Sequence, residues 1–158
     1  MFSTAALAKK LDLVNIGTAG TFVASRRVTA AELAREIPSG LDVAIRPAAE
    51  VLKLVDAGQP KAPPGTLVLV SVLVGPAKSS PRLPLELPAG KPWAIRVVAK
   101  RGPYVISLRH PERQRGLYVN EFAEKAFGAR ATTRGWPTFE RIATAIRSLE
   151  SPATRARR

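Results

Sequence analysis

The stretch from Ala131 to Leu149, ATTRGWPTFERIATAIRSL, constrains this chain more than any other. Phe139, Ile142, Ala143, Ile146 and Leu149 recur at helical spacing and form one apolar stripe. Glu140, Arg141, Thr144, Arg147 and Ser148 fall on the opposite side. Pro137 stands in the first turn, where its missing N–H costs nothing and its fixed φ suits a helix. Such a helix must bury one face. The chain enters it from Thr132, Thr133, Arg134, Gly135 and Trp136, a polar and specific run that predicts a short extended piece ending in a sharp corner.

Upstream, Thr66 to Val74, TLVLVSVLV, is a continuous apolar run. Its β-branched residues and flanking Pro and Gly predict a strand buried on both faces. Gly75 to Pro92 holds prolines at 76, 81, 84, 88 and 92. A central strand is excluded there, and a surface loop is expected, with Leu83, Leu85 and Leu87 as an edge strand. Trp93 to Leu108 reads as a hairpin about a two-residue turn at Arg101-Gly102. In that register Lys100 faces Pro103, Val98 faces Val105 and Arg96 faces Ser107. Trp93, Ile95, Val97, Tyr104, Ile106 and Leu108 then form a core face. Arg96, Lys100 and Arg109 stand on the other face beside Val98 and Val105. Val119 to Phe127 is a helix stopped by Gly128.

The first third reads as short elements. Ser3 or Thr4 caps a helix to Leu11, and two short strands lie around Gly17 and Gly20. Thr29-Ala30-Ala31-Glu32 is a capping box opening a helix that buries Leu33 and Ile37. A brief strand is expected over Val43 to Arg46, then a helix from Pro47 to Asp56. Gln59 to Gly65 carries three prolines and predicts a stiff connector. The expected division is 1–58, a linker 59–65, a second lobe 66–150 and a disordered basic tail 151–158.

At this point the residues resemble a known family. ATTRGWPTFERI, with Thr132, Thr133, Arg134, Gly135, Trp136, Pro137 and Thr138, is similar to the ending of the bacterial domain of unknown function family 1697. Members typically carry a Thr-Thr-Arg-Asn-Trp-Asn-Thr run before their last helix. GLYVNEFAEKAFGA is similar to the family's preceding helix, and the order of elements also matches. Two asparagines of the final motif are Gly135 and Pro137 here, and a second-strand Ser-Gly-Asn is Ala19, Gly20 and Thr21. Members usually begin with a strand of pattern Leu-Leu-Arg-Gly-Ile-Asn-Val-Gly-Gly, which does not precede the first helix here. The N-terminal sheet is therefore expected to have an unpaired edge or to borrow an element. The resemblance covers most of the chain and is firm over the last third. It implies an α+β fold: a ferredoxin-like N-terminal half, then a second α+β half with an antiparallel hairpin and C-terminal helices. It implies no activity.

The strongest global signal is charge. Lys and Arg outnumber Asp and Glu 25 to 12, a formal net charge of +13. Such an excess attracts polyanions, and nucleic acid is the expected partner. The candidate phosphate contacts are Arg96, Lys100, Arg109, Arg113, Arg115, Arg130 and Arg134, with Lys91 beside them. Tyr104, Tyr118 and Trp136 are the aromatics considered for base stacking. The competing placements put Tyr104 in the core by register and Trp136 at the start of the last helix as a structural residue.

Chemistry finds less support. His110 is the sole histidine, and with Glu112 it reads as a solvated loop rather than a catalytic pair. There is no cysteine, and no compact acidic motif for a metal. Gly17-x-x-Gly20 lacks the phosphate-loop pattern. No catalytic residue, metal or cofactor is expected. No apolar run reaches about 18 residues, so no membrane span is expected, and a cytoplasmic setting is the default. Three function classes stay open. A nucleic-acid module requires cations clustered on one face. A small enzyme or binding protein for an anionic ligand requires a pocket near Thr132, Thr133 and Trp136. A protein-interaction domain, self-association included, requires an exposed apolar patch.

Overall fold

The structure, a computed structural model, describes residues 2–90 and 92–151. Lys91 lies outside the described residues, as does the expected basic tail apart from Ser151. The elements run α1 (Thr4–Leu11), β1 (Leu13–Asn15), β2 (Phe22–Ala24), α2 (Ala30–Ala34), α3 (Ala48–Asp56) and β3 (Leu67–Leu73). They continue with β4 (Leu85–Leu87), β5 (Ile95–Arg101), β6 (Tyr104–Arg109), α4 (Val119–Phe127), β7 (Ala131–Gly135) and α5 (Trp136–Glu150). The fold is α+β, with antiparallel sheets throughout the described residues. Two compact units form. Among the described residues, one holds 2–41, Ile45–Asp56 and 137–151; the other holds Asp42–Ala44 and Ala57–Trp136. The boundary expected near residue 58 is thus corrected at its far end: the last helix groups with the N-terminal segments. Its wide apolar stripe belongs to whichever elements cover it, and sequence order does not decide that.

The first unit is built from locally coded pieces. Ser3 caps α1, its hydroxyl accepting from the Ala6 N–H at 3.3 Å, and Leu7 and Leu11 are buried. β1 and β2 pair antiparallel, Leu13 opposite Ala24. Thr29 and Glu32 form the expected capping box: the Thr29 N–H donates to Glu32 Oε2 at 2.8 Å and the Glu32 N–H to Thr29 Oγ1 at 3.1 Å. The helix it opens is only five residues long, and Leu33 and Ile37 are half-buried rather than buried. α3 buries Val51 and Leu54. α5 buries Phe139, Ile142, Ala143 and Ile146, the predicted stripe, with Leu149 half-buried. A two-stranded sheet is what this unit's described residues form, which does not amount to a ferredoxin-like half. The strand expected over Val43 to Arg46 does not form either. Those residues have strand-forming side chains but no neighbouring strand to complete their hydrogen bonds.

The second unit carries a five-stranded sheet in the order β4-β5-β6-β3-β7. The apolar run supplies β3, flanked on both edges, with Val70 opposite Ile106 of β6 and Arg134 of β7. The edge strand expected among the prolines is β4. The hairpin forms, but its register is corrected. Arg101 pairs with Tyr104, Lys100 with Val105, and Val97 with Ser107, with a bulge between Val97 and Ala99. The loop is therefore Gly102-Pro103. Pro103 has no N–H to offer opposite Lys100, whereas Gly102 at φ +56° followed by proline's fixed φ suits a type II′ turn. The extra residue at the bulge breaks the expected alternation of faces. Every residue of β6 is buried, so that strand offers no solvent face, and the exposed cations Lys100 and Arg101 stand at the turn end of β5.

α4 packs against β7, β3 and β6. Ala123 and Phe127 join Leu73, Val97, Val105 and Ala131 in one buried cluster. Fully burying a side chain such as Phe127 contributes about 1.5–3 kcal/mol. Gly128 ends the helix at φ +65°, and its N–H donates to the Glu124 carbonyl at 2.8 Å. A β-carbon there would lie 3.0 Å from the Lys78 Cβ, so glycine is required for space as well as for conformation.

Candidate nucleic-acid interface

The segment 110–118, between β6 and α4, begins from a buried arginine. Arg109 is the last residue of β6 and only 9% exposed. A buried guanidinium must satisfy its N–H groups, and this one does so on main-chain carbonyls. Nη1 donates to the carbonyls of Ala94 at 3.2 Å and Arg113 at 2.8 Å, and also to that of His110; Nη2 donates to the Gln114 carbonyl at 3.0 Å. The loop is thus wrapped around one cation. Gln114 at φ +43° and Gly116 at φ +93° turn the chain back towards α4. The Arg113 side chain ties the loop to its neighbour, Nη1 donating to the Trp93 carbonyl at 2.9 Å.

Beside this anchor lies an aromatic stack. The His110 ring sits 4.4 Å from that of Trp93, centroid to centroid, at 42°. The Arg96 guanidinium carbon lies 4.8 Å from the Trp93 ring centre, a cation–π distance. Arg96 also pairs with Glu86, so its charge is already matched. Desolvation of the imidazole, and then the nearby Arg113 and Arg109 charges, hold His110 below the ordinary histidine range. Trp93, expected in the core, is half-buried and carries this stack instead.

Arg115 and Tyr118 complete the loop. Arg115 is exposed and makes no hydrogen bond or ion pair among the described residues. Tyr118 is 63% exposed, the most exposed of the large hydrophobic side chains described. It occupies the N-cap position of α4 without a side-chain capping bond.

The structure therefore brings together Arg96, Arg109, Arg113 and Arg115 and separates the other three predicted cations. Lys100 lies at the turn end of the hairpin, bonded to the Gly102 carbonyl at 2.8 Å. It pairs with Val105, four residues and so about 13 Å along β6 from Arg109. Arg130 is paired with Asp42 at 2.9 Å and lies 3.8 Å from Glu124; the Asp42 hydrogen bond and charge push its pKa up further. Arg134 is half-buried. Its Nη1 donates to Thr132 Oγ1 at 2.9 Å and to the Thr133 carbonyl at 2.8 Å, and desolvation lowers its pKa from the arginine range.

The pocket expected at Thr132, Thr133 and Trp136 is corrected in the same way. Trp136 is 2% exposed. Thr133 Oγ1 donates to Asn120 Oδ1 at 2.8 Å and, having one hydrogen, accepts from the Ser71 hydroxyl at 2.7 Å. These groups are occupied with each other. An open cavity of about 530 Å³ lies elsewhere in this unit, lined by Val74, Gly75, Pro76, Lys78, Glu124 and Arg130 among others. Among the described residues no group of three His, Asp or Glu side chains is placed to hold a metal, and no helix is long and apolar enough to cross a membrane.

Sequence reasoning missed the neutralising partners: Asp42 comes from a distant part of the chain, while Glu86 and Glu124 lie ten and six residues from their arginines but meet them only through the pairing of β4 with β5 and the turn after α4. It also missed the role of Arg109, which a strand-end arginine before a Pro- and Gly-containing loop signals only weakly.

An α+β fold with an arginine-anchored, outward-facing basic loop is what fold and site define. Comparison with known proteins finds no matching family model, no matching curated protein and no matching solved structure.

Proposed function

We propose that this protein binds nucleic acid chiefly through phosphate contacts, and that the loop 110–118 makes them. The observation that carries this reading is the presentation of Arg113 and Arg115 on an anchored loop in a chain of net charge +13. Glu112 is the one acid in that segment and makes no ion pair with either arginine. A held loop loses little conformational freedom on binding, and arginine forks match phosphate oxygens. A cytoplasmic setting goes with this reading. The resemblance to family 1697 is carried as a proposal of kinship and adds no activity.

The test is a binding titration against an oligonucleotide at two or more salt concentrations. Affinity should fall steeply with salt and discriminate little between sequences. Replacing Arg113 and Arg115 together with alanine should lower the salt slope by about 2, near one per phosphate contact. No binding at low salt would overturn the proposal.

A second reading, a protein-interaction surface that would include a second copy of this chain, is favoured by one observation. Leu41 and Ile45, both in the first unit, are large apolar side chains left exposed.

A further inference from the structure

Resting on the nucleic-acid reading, we infer that the strand taken by this loop is single-stranded, with an unpaired base stacked on Tyr118. Tyr104 is 4% exposed and Trp136 2%, so neither offers a ring face, and the half-buried Trp93 already has His110 and Arg96 against its ring. Tyr118 offers one. Its hydroxyl and ring have no hydrogen-bond or ring partner among the described residues, so nothing within the chain competes for them. Its backbone is held on both sides: the Leu117 N–H donates to the Gln114 carbonyl at 3.4 Å, and the Tyr118 carbonyl accepts from the Phe122 N–H at 3.1 Å. The ring therefore projects from the start of a helix rather than from a loose tip.

Arg115 is three residues earlier, at most about 11 Å away between Cα atoms. A cation and an aromatic face at that spacing engage backbone phosphate and base of the same short stretch. A duplex hides the faces of its bases inside its own stack, whereas an unpaired strand exposes them. Phosphate contacts alone serve either form, so the tyrosine is what selects.

The experiment titrates an oligothymidylate of about 15 nucleotides, and a duplex of the same length, by fluorescence anisotropy at one salt concentration. The single strand should bind more tightly. Tyr118→Ala should weaken single-strand binding about tenfold and leave duplex binding unchanged, because stacking is lost and no charge is removed. Tyr118→Phe should bind as the wild type, since the ring face is kept. At 63% exposure neither substitution should move the melting temperature, which checks that the fold is intact. Tyr118→Ala binding the single strand as tightly as wild type would overturn this inference, as would equal weakening towards strand and duplex. In both cases a salt slope sensitive to Arg113 and Arg115 would leave phosphate binding standing. Failure of both nucleic acids to bind at low salt would overturn the two together.

Discussion

Residues 131–136 and residues 109–118 both set arginine and polar groups beside an aromatic, yet the first stretch faces inward and the second outward. In the first, Thr133 bonds Ser71 and Asn120, Arg134 folds onto Thr132 and the Thr133 carbonyl, and Trp136 is buried. In the second, Arg109 gathers the main-chain carbonyls, which leaves Arg115 and Tyr118 to solvent. The more distinctive motif is the structural one. A run of unusual residues is specific whenever each must meet a particular partner, and that partner is as readily another part of the chain as a ligand. One inward arginine also explains the outward ones, because it holds the backbone that displays them.

The sharpest break in this comparison is Trp136→Ala. Removing a buried indole should cost about 3–5 kcal/mol, against a total of roughly 5–15 kcal/mol for a domain. Denaturant unfolding measures it. A variant of wild-type stability that no longer binds nucleic acid would reverse the assignment and make the inward motif the functional one.

Next in size is Arg109→Ala, at about 3 kcal/mol, because several carbonyls lose their donor at once. It should also weaken nucleic-acid binding although Arg109 itself is buried, by releasing Arg113 and Arg115 from their held positions. Arg109→Lys should rescue little, since an ammonium cannot reach the same spread of carbonyls as a planar fork. Unchanged melting temperature and binding in both variants would show that the loop holds itself.

The smallest effect concerns His110, whose folded pKa lies below its ordinary value. An unfolded imidazole titrates near about 6.5. Between the folded value and that point the unfolded chain binds more protons. The contribution to stability is therefore complete above the unfolded value and is lost as pH falls through the window down to the folded one. Wild type should lose more melting temperature than His110→Gln between about pH 7.5 and about pH 5.5. Parallel losses would mean that desolvation and the Arg113 and Arg109 charges do not disfavour protonation of His110.

Elements with local codes were legible in the sequence by itself. The Ser3 cap, the Thr29–Glu32 box, the Gly128 stop and the Val119–Phe127 helix all appear as expected, because each depends on groups within a few residues. The Thr66–Val74 run became a strand because its apolar content on both sides demands burial whatever its neighbours are. The apolar stripe of the last helix was equally plain. Tertiary structure decided the rest. The strand order β4-β5-β6-β3-β7 and the absence of a strand at Val43–Arg46 depend on partners remote in sequence, and a strand without a partner cannot satisfy its backbone. The hairpin slipped from its expected register because proline's missing N–H and a bulge outweighed simple alternation. For the same reason arginines of identical chemistry parted company. Arg109 met carbonyls, Arg96 and Arg130 met carboxylates, and Arg115 met none of these. A side chain's charge is written in the sequence, but whether that charge is left for another molecule depends on what the fold brings within about 4 Å of it.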